Sequence, residues 1–443
     1  ARKFKRNGGS GIISYYRFDE KALHKLKVLN FDMFTTLMLA VLAIYFGEFL
    51  RKIFPVLKKY CLPASVVGGT IFALISLLLF KMGVVELKFD EYAEAINKLF
   101  YCIFFAASGA AASMALLKKG GKLVVIFAIL AAVLAALQNG VALAVGKFMN
   151  IDPLIAMMTG SIPMTGGHGN AASFAPEAVK AGAVAAKEVA IAAATFGLIS
   201  GCMLGGPFGN FLVKRFKLDE KSTEKEVMKE IDIEGETGNL LVDKPNIIQA
   251  VFLMCIAIGI GKIIELGLKS IQDSTGWKVA LPIHVCCMFA GIIMRLIYDR
   301  KHGNHDILYE SIDIVGEFSL ALFVSISIIT MKLWQLSGLG MALVVLLIAQ
   351  VVLIIIFCYF LTFKLLGKNY DAAVMAVGHM GFGLGAVPVA MTTMQAVCKK
   401  YRYSKLAFFV VPVIGGFISN ISNAIIITKF LDIAKSLHAV WIG

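Results

Sequence analysis

The sequence predicts an all-α polytopic membrane protein with ten transmembrane helices. Hydrophobic residues make up 58% of its 443 residues and charged residues 16%, against roughly 45–50% and about 25% in soluble domains. With a mean hydropathy of +0.80, a chain of this length has more apolar side chains than one soluble core can bury, so some of them must face lipid. The sequence lacks the short alternating segments of a transmembrane barrel, which leaves helices as the spanning elements.

Uncharged runs of about 20 residues, the length that crosses a bilayer as a helix, mark most of the predicted spans. Five are continuous: 60–80, 99–117, 123–146, 189–213 and 406–428. The others are 33–50, 246–268, 279–298 and the two parts of the apolar region 314–366, which divides near Leu336. Between Lys88 and Phe100, apolar residues at helical spacing beside acidic ones predict an amphipathic helix lying flat on the membrane.

Two further apolar segments, 153–176 and 372–398, are interrupted by glycine and proline, so neither can span as one helix. Irregular backbone is tolerated at membrane depth only where protein or a water-filled cavity surrounds it. We therefore expect re-entrant helical hairpins at 152–176 and 371–398 with non-helical tips. Each begins at an acid, Asp152 or Asp371, which we expect to cap the first helix of its hairpin.

The chain divides into two similar halves around a polar linker. Leu62-Pro63 recurs as Leu281-Pro282, and Gly121 recurs as Gly340, each 219 residues later. Five spans per half is an odd number, so the second half inserts upside down, as in the inverted repeats of secondary transporters. The predicted division is a tail at 1–30, a first repeat at 31–216, a linker at 217–245 and a second repeat at 246–443. Within the tail, Gly8-Gly9-Ser10-Gly11 resembles an artificial linker.

The net charge of +14 comes from Lys and Arg between the apolar runs, so it indicates topology and no nucleic-acid partner. With the linker inside, and the tail left aside, the inner segments hold roughly twice as many Lys and Arg as the outer ones, which by the positive-inside rule places the linker in the cytoplasm and both termini outside. The eight cysteines show no C-x-x-C spacing, so neither a zinc site nor a disulfide framework is predicted.

The strongest functional signal is a pair of Gly-rich, His-containing tips, one in each hairpin. The first is Thr165-Gly166-Gly167-His168-Gly169-Asn170, and the second is Gly378-His379 followed by Gly381, Gly383 and Gly385. Together with the run from Gly367 to Val374 and with Val410-Val411-Pro412, these motifs resemble those of the sodium/glutamate symporters. The resemblance extends from near Phe31 to the end of the chain.

The resemblance implies a homodimer of ten-span subunits that carries sodium and glutamate together across the bacterial inner membrane. It also implies hairpins that meet from opposite faces, and an elevator-like motion of the hairpin-bearing part against a dimer scaffold. Some residues depart from the family pattern. Asn170 and Phe174 stand where the family usually has Thr and Trp, and Asn420 stands where an acid is expected, while Asn423 is kept.

The broken helix ends suit a carboxylate substrate on physical grounds. No arginine lies deep in a predicted span, so an anion at mid-membrane needs backbone N–H groups at helix N-termini, which carry roughly half a positive charge. Glycine lets a substrate approach that backbone, although small residues also serve simple helix packing. The candidate substrate-binding residues are Thr165, Gly166, Gly167, His168, Gly169, Asn170, His379, Gly381, Gly383 and Gly385. The candidate sodium ligands, chosen for their hard oxygen atoms, are Ser161, Thr392, Thr393 and Asn423.

Two histidines and several amides in the apolar segments are open to more than one interpretation. His168 and His379 either relay protons, since an ionisable group at membrane depth is usually functional, or stay neutral and hydrogen-bond the opposite hairpin. The neutral form is favoured because neither tip contains an acid to receive the proton. The amides either line the cavity or bond a neighbouring helix; they are Gln138, Asn139, Gln350, Asn420 and Asn423.

The sequence therefore predicts a secondary active transporter, and not an enzyme, that couples glutamate uptake to Na⁺. A sodium- or proton-coupled di- or tricarboxylate carrier of the same architecture is the nearest alternative. An intramembrane enzyme is a more distant one, because the sequence holds no H-E-x-x-H motif and no acid beside either histidine. A channel fits less well, since a Gly-rich tip with bulky Met and Phe beside it suits a gated carrier.

Overall fold

The architecture was analysed in a computed structural model that describes residues 27–59, 62–110, 114–218, 244–275, 281–302, 306–336 and 339–442. Within these ranges the chain is helical apart from one pair of short strands and the connecting turns. Most of the predicted tail, up to residue 26, and most of the predicted linker, from 219 to 243, lie outside the described residues.

The helices of the first half are α1 Met33–Ile53, α2 Pro55–Lys59, α3 Ala64–Lys81, α4 Glu91–Ala110, α5 Met114–Phe148, α6 Pro153–Met157, α7 Ser161–Met164, α8 Gly167–Lys180 and α9 Ala186–Arg215. Those of the second half are α10 Lys244–Thr275, α11 Ile283–His302, α12 Asp306–Ile329, α13 Gly340–Phe357, α14 Phe363–Leu365, α15 Tyr370–Leu384, α16 Val387–Lys400, α17 Lys405–Val413 and α18 Ser419–Ile442. Single π-helical turns, Cys358–Thr362 and Ile414–Ile418, join α13 to α14 and α17 to α18.

Eight helical segments of the described chain are long and apolar enough to cross a membrane. They are Met33–Ile53, Ala64–Lys81, Gly121–Phe148, Ala186–Arg215, Lys244–Ser274, Ile307–Ile329, Gly340–Leu365 and Lys405–Trp441. These match eight of the ten predicted spans. The spans predicted at 99–117 and 279–298 overlap α4 and α11, helices of 20 residues each whose charged ends lower their hydropathy. The count of ten therefore stays a prediction.

A two-stranded parallel sheet departs from the all-α prediction. Strand β1, Lys27–Phe31, pairs with β2, Val85–Phe89. The sequence of β2, VELKF, alternates apolar and charged residues with the period of a strand. Helix α4 then runs unbroken from Glu91 to Ala110. The amphipathic helix predicted between Lys88 and Phe100 thus begins later than expected, because Lys88 and Phe89 belong to β2, and it continues to Ala110. Its placement flat on the membrane stays a prediction.

The two segments predicted to be hairpins begin with different caps. Asp152 accepts a hydrogen bond from the backbone N–H of Leu154 at 2.8 Å, which confirms it as the cap of α6. The cap predicted at Asp371 is wrong. Asn369 caps α15 instead, accepting from the N–H of Ala372 at 2.8 Å, because its extended backbone is the one that aims a side chain at the first turn. Asp371 accepts from the Ser404 hydroxyl at 2.6 Å.

The helices pack as two groups. The six-helix group contains α1, α3, α4, α10, α11 and α12, in which α4 packs on both α11 and α12. Its helices touch closely: a Cβ on Gly109 would lie 2.0 Å from the carbonyl oxygen of Met288, and one on Gly291 would lie 2.0 Å from that of Ala106. The hairpin group contains α5 to α9 and α13 to α18, with α9 packed on α8, α15 and α16. Most helix pairs in contact belong to the same group.

Candidate functional site

The first segment predicted to be a hairpin, 152–176, is broken twice. Helices α6, α7 and α8 are separated at residues 158–160 and 165–166. At the second break Gly167 has φ +59°, a left-handed conformation that glycine adopts without steric cost. The second hairpin segment is broken once, between α15 and α16, where Ala386 is fully extended. The predicted non-helical tips are thus present as breaks in both segments.

The two tips meet. A Cβ built on Gly167 would lie 2.7 Å from the carbonyl oxygen of Gly385, so the backbones of the two segments approach as closely as glycine allows. The helices that start here, α8 and α16, have no side-chain cap. By contrast, α6, α15 and α17 are capped by Asp152, Asn369 and Ser404. The first-turn N–H groups of α8 therefore keep their hydrogen-bonding capacity for a ligand.

Buried amides of α5 hold the breaks in place. Gln138 donates through Nε2 to the carbonyl of Gly383 at 2.7 Å and accepts through Oε1 from the Thr165 hydroxyl at 2.6 Å. Its neighbour Asn139 accepts from the backbone N–H of Ser161 at 2.8 Å. Gln350 of α13 donates to the backbone carbonyl of Gln138 at 2.8 Å. All three amide side chains are fully buried and bond neighbouring elements, and Asn139 Nδ2 and Gln350 Oε1 have no hydrogen-bond partner among the described residues.

Ser161 and Asn423, two of the four candidate sodium ligands, lie together. Asn423 of α18 donates to the backbone carbonyl of Ser161 at 3.1 Å, and both residues are fully buried. The hydroxyl of Ser161 and the amide oxygen of Asn423 have no hydrogen-bond partner in the described chain. Buried oxygen atoms without partners carry a desolvation cost that a cation offsets. Thr392 and Thr393 lie on α16, where their hydroxyls donate to carbonyls of their own helix.

Asn170 is the unsatisfied donor at the first tip. Its side chain is 4% exposed, and Nδ2 has no hydrogen-bond partner among the described residues. It stands in the first turn of α8, beside Gly166, where a built Cβ would lie 2.1 Å from Nδ2. The position is therefore available for an acceptor such as a carboxylate.

The two tip histidines bond hydroxyls, and not the opposite hairpin as predicted. His168 Nε2 lies 2.9 Å from the Thr195 hydroxyl on α9. Because that hydroxyl donates to the carbonyl of Ile191, Nε2 of His168 is the donor. His379 Nδ1 lies 2.9 Å from the Thr362 hydroxyl, and its ring stacks on Phe382. Each histidine thus has a neutral partner from a neighbouring helix.

Two of the tip glycines have packing roles in the structure. A Cβ on Gly169 would lie 3.3 Å from the ring of Phe104 on α4, so this residue contacts the six-helix group. A Cβ on Gly381 would lie 2.4 Å from Cα of Ala390, so this residue lets α15 and α16 pack closely. Helix packing, the alternative that the sequence left open, accounts for these two positions.

Charged residues at the helix ends form contacts that the sequence analysis did not foresee. Lys187 Nζ donates to the Thr330 hydroxyl at 2.7 Å, and Glu188 accepts from the backbone N–H of Lys332 at 2.8 Å. Both bonds join α9 of the hairpin group to the end of α12 in the six-helix group. Arg295 near the end of α11 is also buried, and it donates to the last carbonyl of α4, Ala110, at 2.7 Å. Arg295 lies near the end of the predicted span 279–298 and is committed to α4, so the expectation that no arginine lies deep in a span stays a prediction.

A crevice separates the two groups along α8. One cavity of ≈ 860 Å³ lies between α4, α8, α10 and α18, and a second of ≈ 590 Å³ lies between α4, α8, α9 and the end of α12. They share the residues Glu94, Asn97, Pro176 and Lys180. Their linings contain both lysines and carboxylates, which marks the crevice as a hydrated space.

The profile of one protein family, sodium/glutamate symporter, matches residues 29–403. The chain belongs to the sodium/glutamate symporter family. It is 33% identical over 405 residues to the sodium/glutamate symporter of Escherichia coli K12, covering 91% of this chain and 98% of that protein. It is 34% identical over 398 residues to the sodium/glutamate symporter of Haemophilus influenzae, covering 89% and 96%. Among solved structures, a sodium/proton antiporter of Methanocaldococcus jannaschii is similar over 92% of this chain and 100% of its own, with 14% identity and a TM-score of 0.35.

Two residues that depart from the symporter pattern, Asn420 and Phe174, contact the six-helix group. Asn420 donates to the carbonyl of Gly416 at 2.7 Å, in the π-helical turn, and to the Ser108 hydroxyl of α4 at 3.2 Å. It therefore ties the hairpin group to the six-helix group through an uncharged contact. Phe174 packs edge-on against His284 of α11, with ring centroids 4.5 Å apart. Membership of a transporter family also agrees with the prediction that the chain is not an enzyme.

Proposed function

We propose that this protein carries glutamate into the cell together with Na⁺, binding its substrate where the two hairpin tips meet. The observation that carries the proposal is the close approach of Gly167, at the uncapped start of α8, to Gly385, which lies two residues before the uncapped start of α16. Helix N-termini at a break in mid-membrane attract carboxylates in secondary transporters. Relatives matched over nearly their whole length carry the name sodium/glutamate symporter, which selects glutamate among the carboxylates.

The substrate carboxylates are placed at the tips by two kinds of donor. The first-turn N–H groups of α8, with the partial positive charge of the helix end, hold one carboxylate. The free Nδ2 of Asn170 adds a side-chain donor beside them. The N-terminus of α16, which begins at Val387, two residues after Gly385, holds the second carboxylate. Of the other candidates, Thr165, Gly166, His168, His379 and Gly383 remain substrate-binding residues predicted by the sequence, whereas Gly169 and Gly381 serve helix packing.

Sodium binds at the buried oxygen atoms of Ser161 and Asn423. The fit rests on two oxygen atoms that are fully buried and have no partner in the described chain. Carbonyls released by the break at residues 158–160 supply further hard ligands, as unwound helices do in other sodium-coupled carriers. Thr392 and Thr393 remain ligands predicted by the sequence.

Transport proceeds by movement of the hairpin group against the six-helix group, in a homodimer of ten-span subunits with inverted repeats. The equal spacing of helix starts supports the repeat, since α3 and α11 begin at Ala64 and Ile283, and α9 and α17 begin at Ala186 and Lys405, in both cases 219 residues apart. The crevice along α8 supports a sliding boundary there. The charge distribution supports a cytoplasmic linker and termini outside a bacterial inner membrane.

A dicarboxylate carrier is the second candidate. Among the described residues, the unpartnered group at the first tip is the amide donor of Asn170 and not a carboxylate. A donor recognises carboxylates, whereas an α-ammonium group needs an acceptor. Glutarate, which lacks the ammonium group, is the ligand that separates the two candidates.

Purified protein in liposomes tests the proposal directly. Labelled glutamate should accumulate under an inward sodium gradient and should equilibrate without accumulation when sodium is equal on both sides. Empty liposomes serve as the control. Uptake driven by a proton gradient in sodium-free buffer would contradict sodium coupling, and competition by glutarate as strong as that by unlabelled glutamate would assign the protein to the dicarboxylate carriers.

A further inference from the structure

Gln138 is the one side chain in the described residues whose amide bonds both hairpin segments. Its Nε2 donates to the carbonyl of Gly383 in α15, and its Oε1 accepts from the hydroxyl of Thr165 at the end of α7. The side chain is fully buried, so neither bond can be exchanged for a bond to water without leaving an unsatisfied group in the protein interior. The positions of the two segments are therefore linked through one rigid, planar group.

The neighbouring residue connects the same turn of α5 to the proposed sodium ligands. Asn139 accepts from the backbone N–H of Ser161, and Asn423 donates to the carbonyl of the same residue. Ser161 begins α7, which is four residues long, and Thr165 follows its last residue. Consecutive residues of α5 thus hold the short helix at both ends. A displacement of Ser161 reaches Thr165 within one helical turn.

The turn of α5 that carries these amides is itself restrained. Gln350 of α13 donates to the backbone carbonyl of Gln138 and is fully buried. The bonded path from Ser161 to Gly383 therefore runs through atoms in direct contact: Ser161, Asn139 and the adjoining Gln138, or Ser161, α7, Thr165 and Gln138. Coupling between two sites needs a connected set of contacts of this kind.

We propose that Gln138 is the positioning residue that couples sodium binding at Ser161 and Asn423 to the shape of the second tip. The inference rests on the proposed function and deepens it. When Na⁺ draws the oxygen atoms of Ser161 and Asn423 together, α7 shifts, and Gln138 passes the shift to the carbonyl of Gly383 beside the substrate space. Sodium then raises glutamate affinity because the two tips take up the binding geometry together.

Binding measurements on purified protein, at low and at saturating sodium, test the coupling. The quantity measured, by calorimetry, is the glutamate dissociation constant at low sodium divided by that at saturating sodium. In Gln138→Met, which keeps side-chain length and removes both hydrogen bonds, this ratio should fall by about tenfold, within the usual range of coupling between sites, while sodium-free affinity stays near the wild-type value. Gln249→Met is the matched control, because Gln249 is an exposed amide on α10 that donates to the Tyr298 hydroxyl far from the tips.

A second variant of Gln138 and a double-mutant cycle with Thr165 keep the test decisive if Gln138→Met does not fold. Gln138→Leu also removes both hydrogen bonds and leaves a shorter apolar side chain, so its ratio should fall as well. Thr165→Val removes the bond between the Thr165 hydroxyl and Gln138, and the double variant Gln138→Leu with Thr165→Val should lose little more than either single variant, since both act on one path. A wild-type ratio in the folded Gln138 variants overturns the inference and leaves the proposed function intact. Sodium-independent glutamate binding by the wild-type protein overturns both.

Discussion

At the scale of single residues, Gly167 tolerates a side chain less well than Gly383. Gly167 has φ +59°, and its Cβ would lie 2.7 Å from a backbone oxygen, that of Gly385. At Gly383 a Cβ would meet the flexible ends of Ile354 and Leu134, at 2.7 and 3.0 Å, which can move aside. An L-residue in the left-handed region alone costs roughly 1–2 kcal/mol.

Alanine substitutions at these two glycines should therefore differ in effect. Gly167→Ala is expected to lower sodium-driven glutamate uptake by more than about tenfold, the equivalent of 1.4 kcal/mol, because the added methyl group holds the two tips apart. Gly383→Ala should retain a substantial part of the wild-type rate and serves as the matched control. Equal activity of the two variants in liposomes, at equal protein content, would show that the close approach of the tips is packing alone.

The histidine at the first tip yields a second test at the residue scale. His168 donates through Nε2 to a neutral hydroxyl that is already committed to a backbone carbonyl, so in the described chain the partner of Nε2 is not a proton acceptor. Glutamine offers the same kind of donor, and His168→Gln should keep the sodium dependence of uptake and change its rate by less than about tenfold. Proton-driven uptake in the wild type, lost in this variant, would contradict the neutral assignment and favour a proton relay.

At the scale of elements, the start of α9 holds the two helical groups together on the side of the crevice. The bonds from Lys187 to Thr330 and from Lys332 to Glu188 must break if the hairpin group slides past the end of α12. Glu188 is 3% exposed, so these contacts are part of the packed boundary. They define one end position of the proposed movement.

Cross-linking across this boundary should therefore stop transport. Lys187→Cys with Thr330→Cys, joined by a short bifunctional thiol reagent in a background without accessible native cysteines, is expected to abolish uptake and to leave glutamate binding in place. The control pair is Asn97→Cys with Ser327→Cys, two residues that are hydrogen-bonded at 3.0 Å within the six-helix group. Unchanged uptake in the first cross-linked pair would exclude sliding at this boundary.

At the scale of the whole molecule, the proposed topology places the linker and the loop after α3 on opposite sides of the membrane. A cysteine at Glu224, which lies outside the described residues, should resist an impermeant thiol reagent applied to intact cells. A cysteine at Val84, a residue 50% exposed between α3 and β2, should react readily. Labelling of the first position and protection of the second would reverse the orientation.

Composition and local pattern were sufficient for the elements that depend on local physics. Eight of the predicted spans match helices that are apolar enough to cross a bilayer, because the length and hydropathy of a span are properties of consecutive residues. The breaks at Gly160 and Gly385 follow from glycine and proline in the same way. Strand β2 was missed although its alternation is visible, because a strand needs a partner and β1 lies more than 50 residues away along the chain.

The connections within the site depended on the tertiary structure. Gln138 is 245 residues from Gly383 along the chain, and Asn423 is 262 residues from Ser161. The sequence by itself determined that these amides lie in apolar segments and that the tips contain glycine, histidine and polar side chains. Which donor meets which acceptor, whether a glycine serves packing or a tight approach, and where Asp371 finds its partner were decided only when the helices packed. These hydrogen bonds join atoms that are distant along the chain and close in space, so the hydropathy pattern along the chain does not predict their partners.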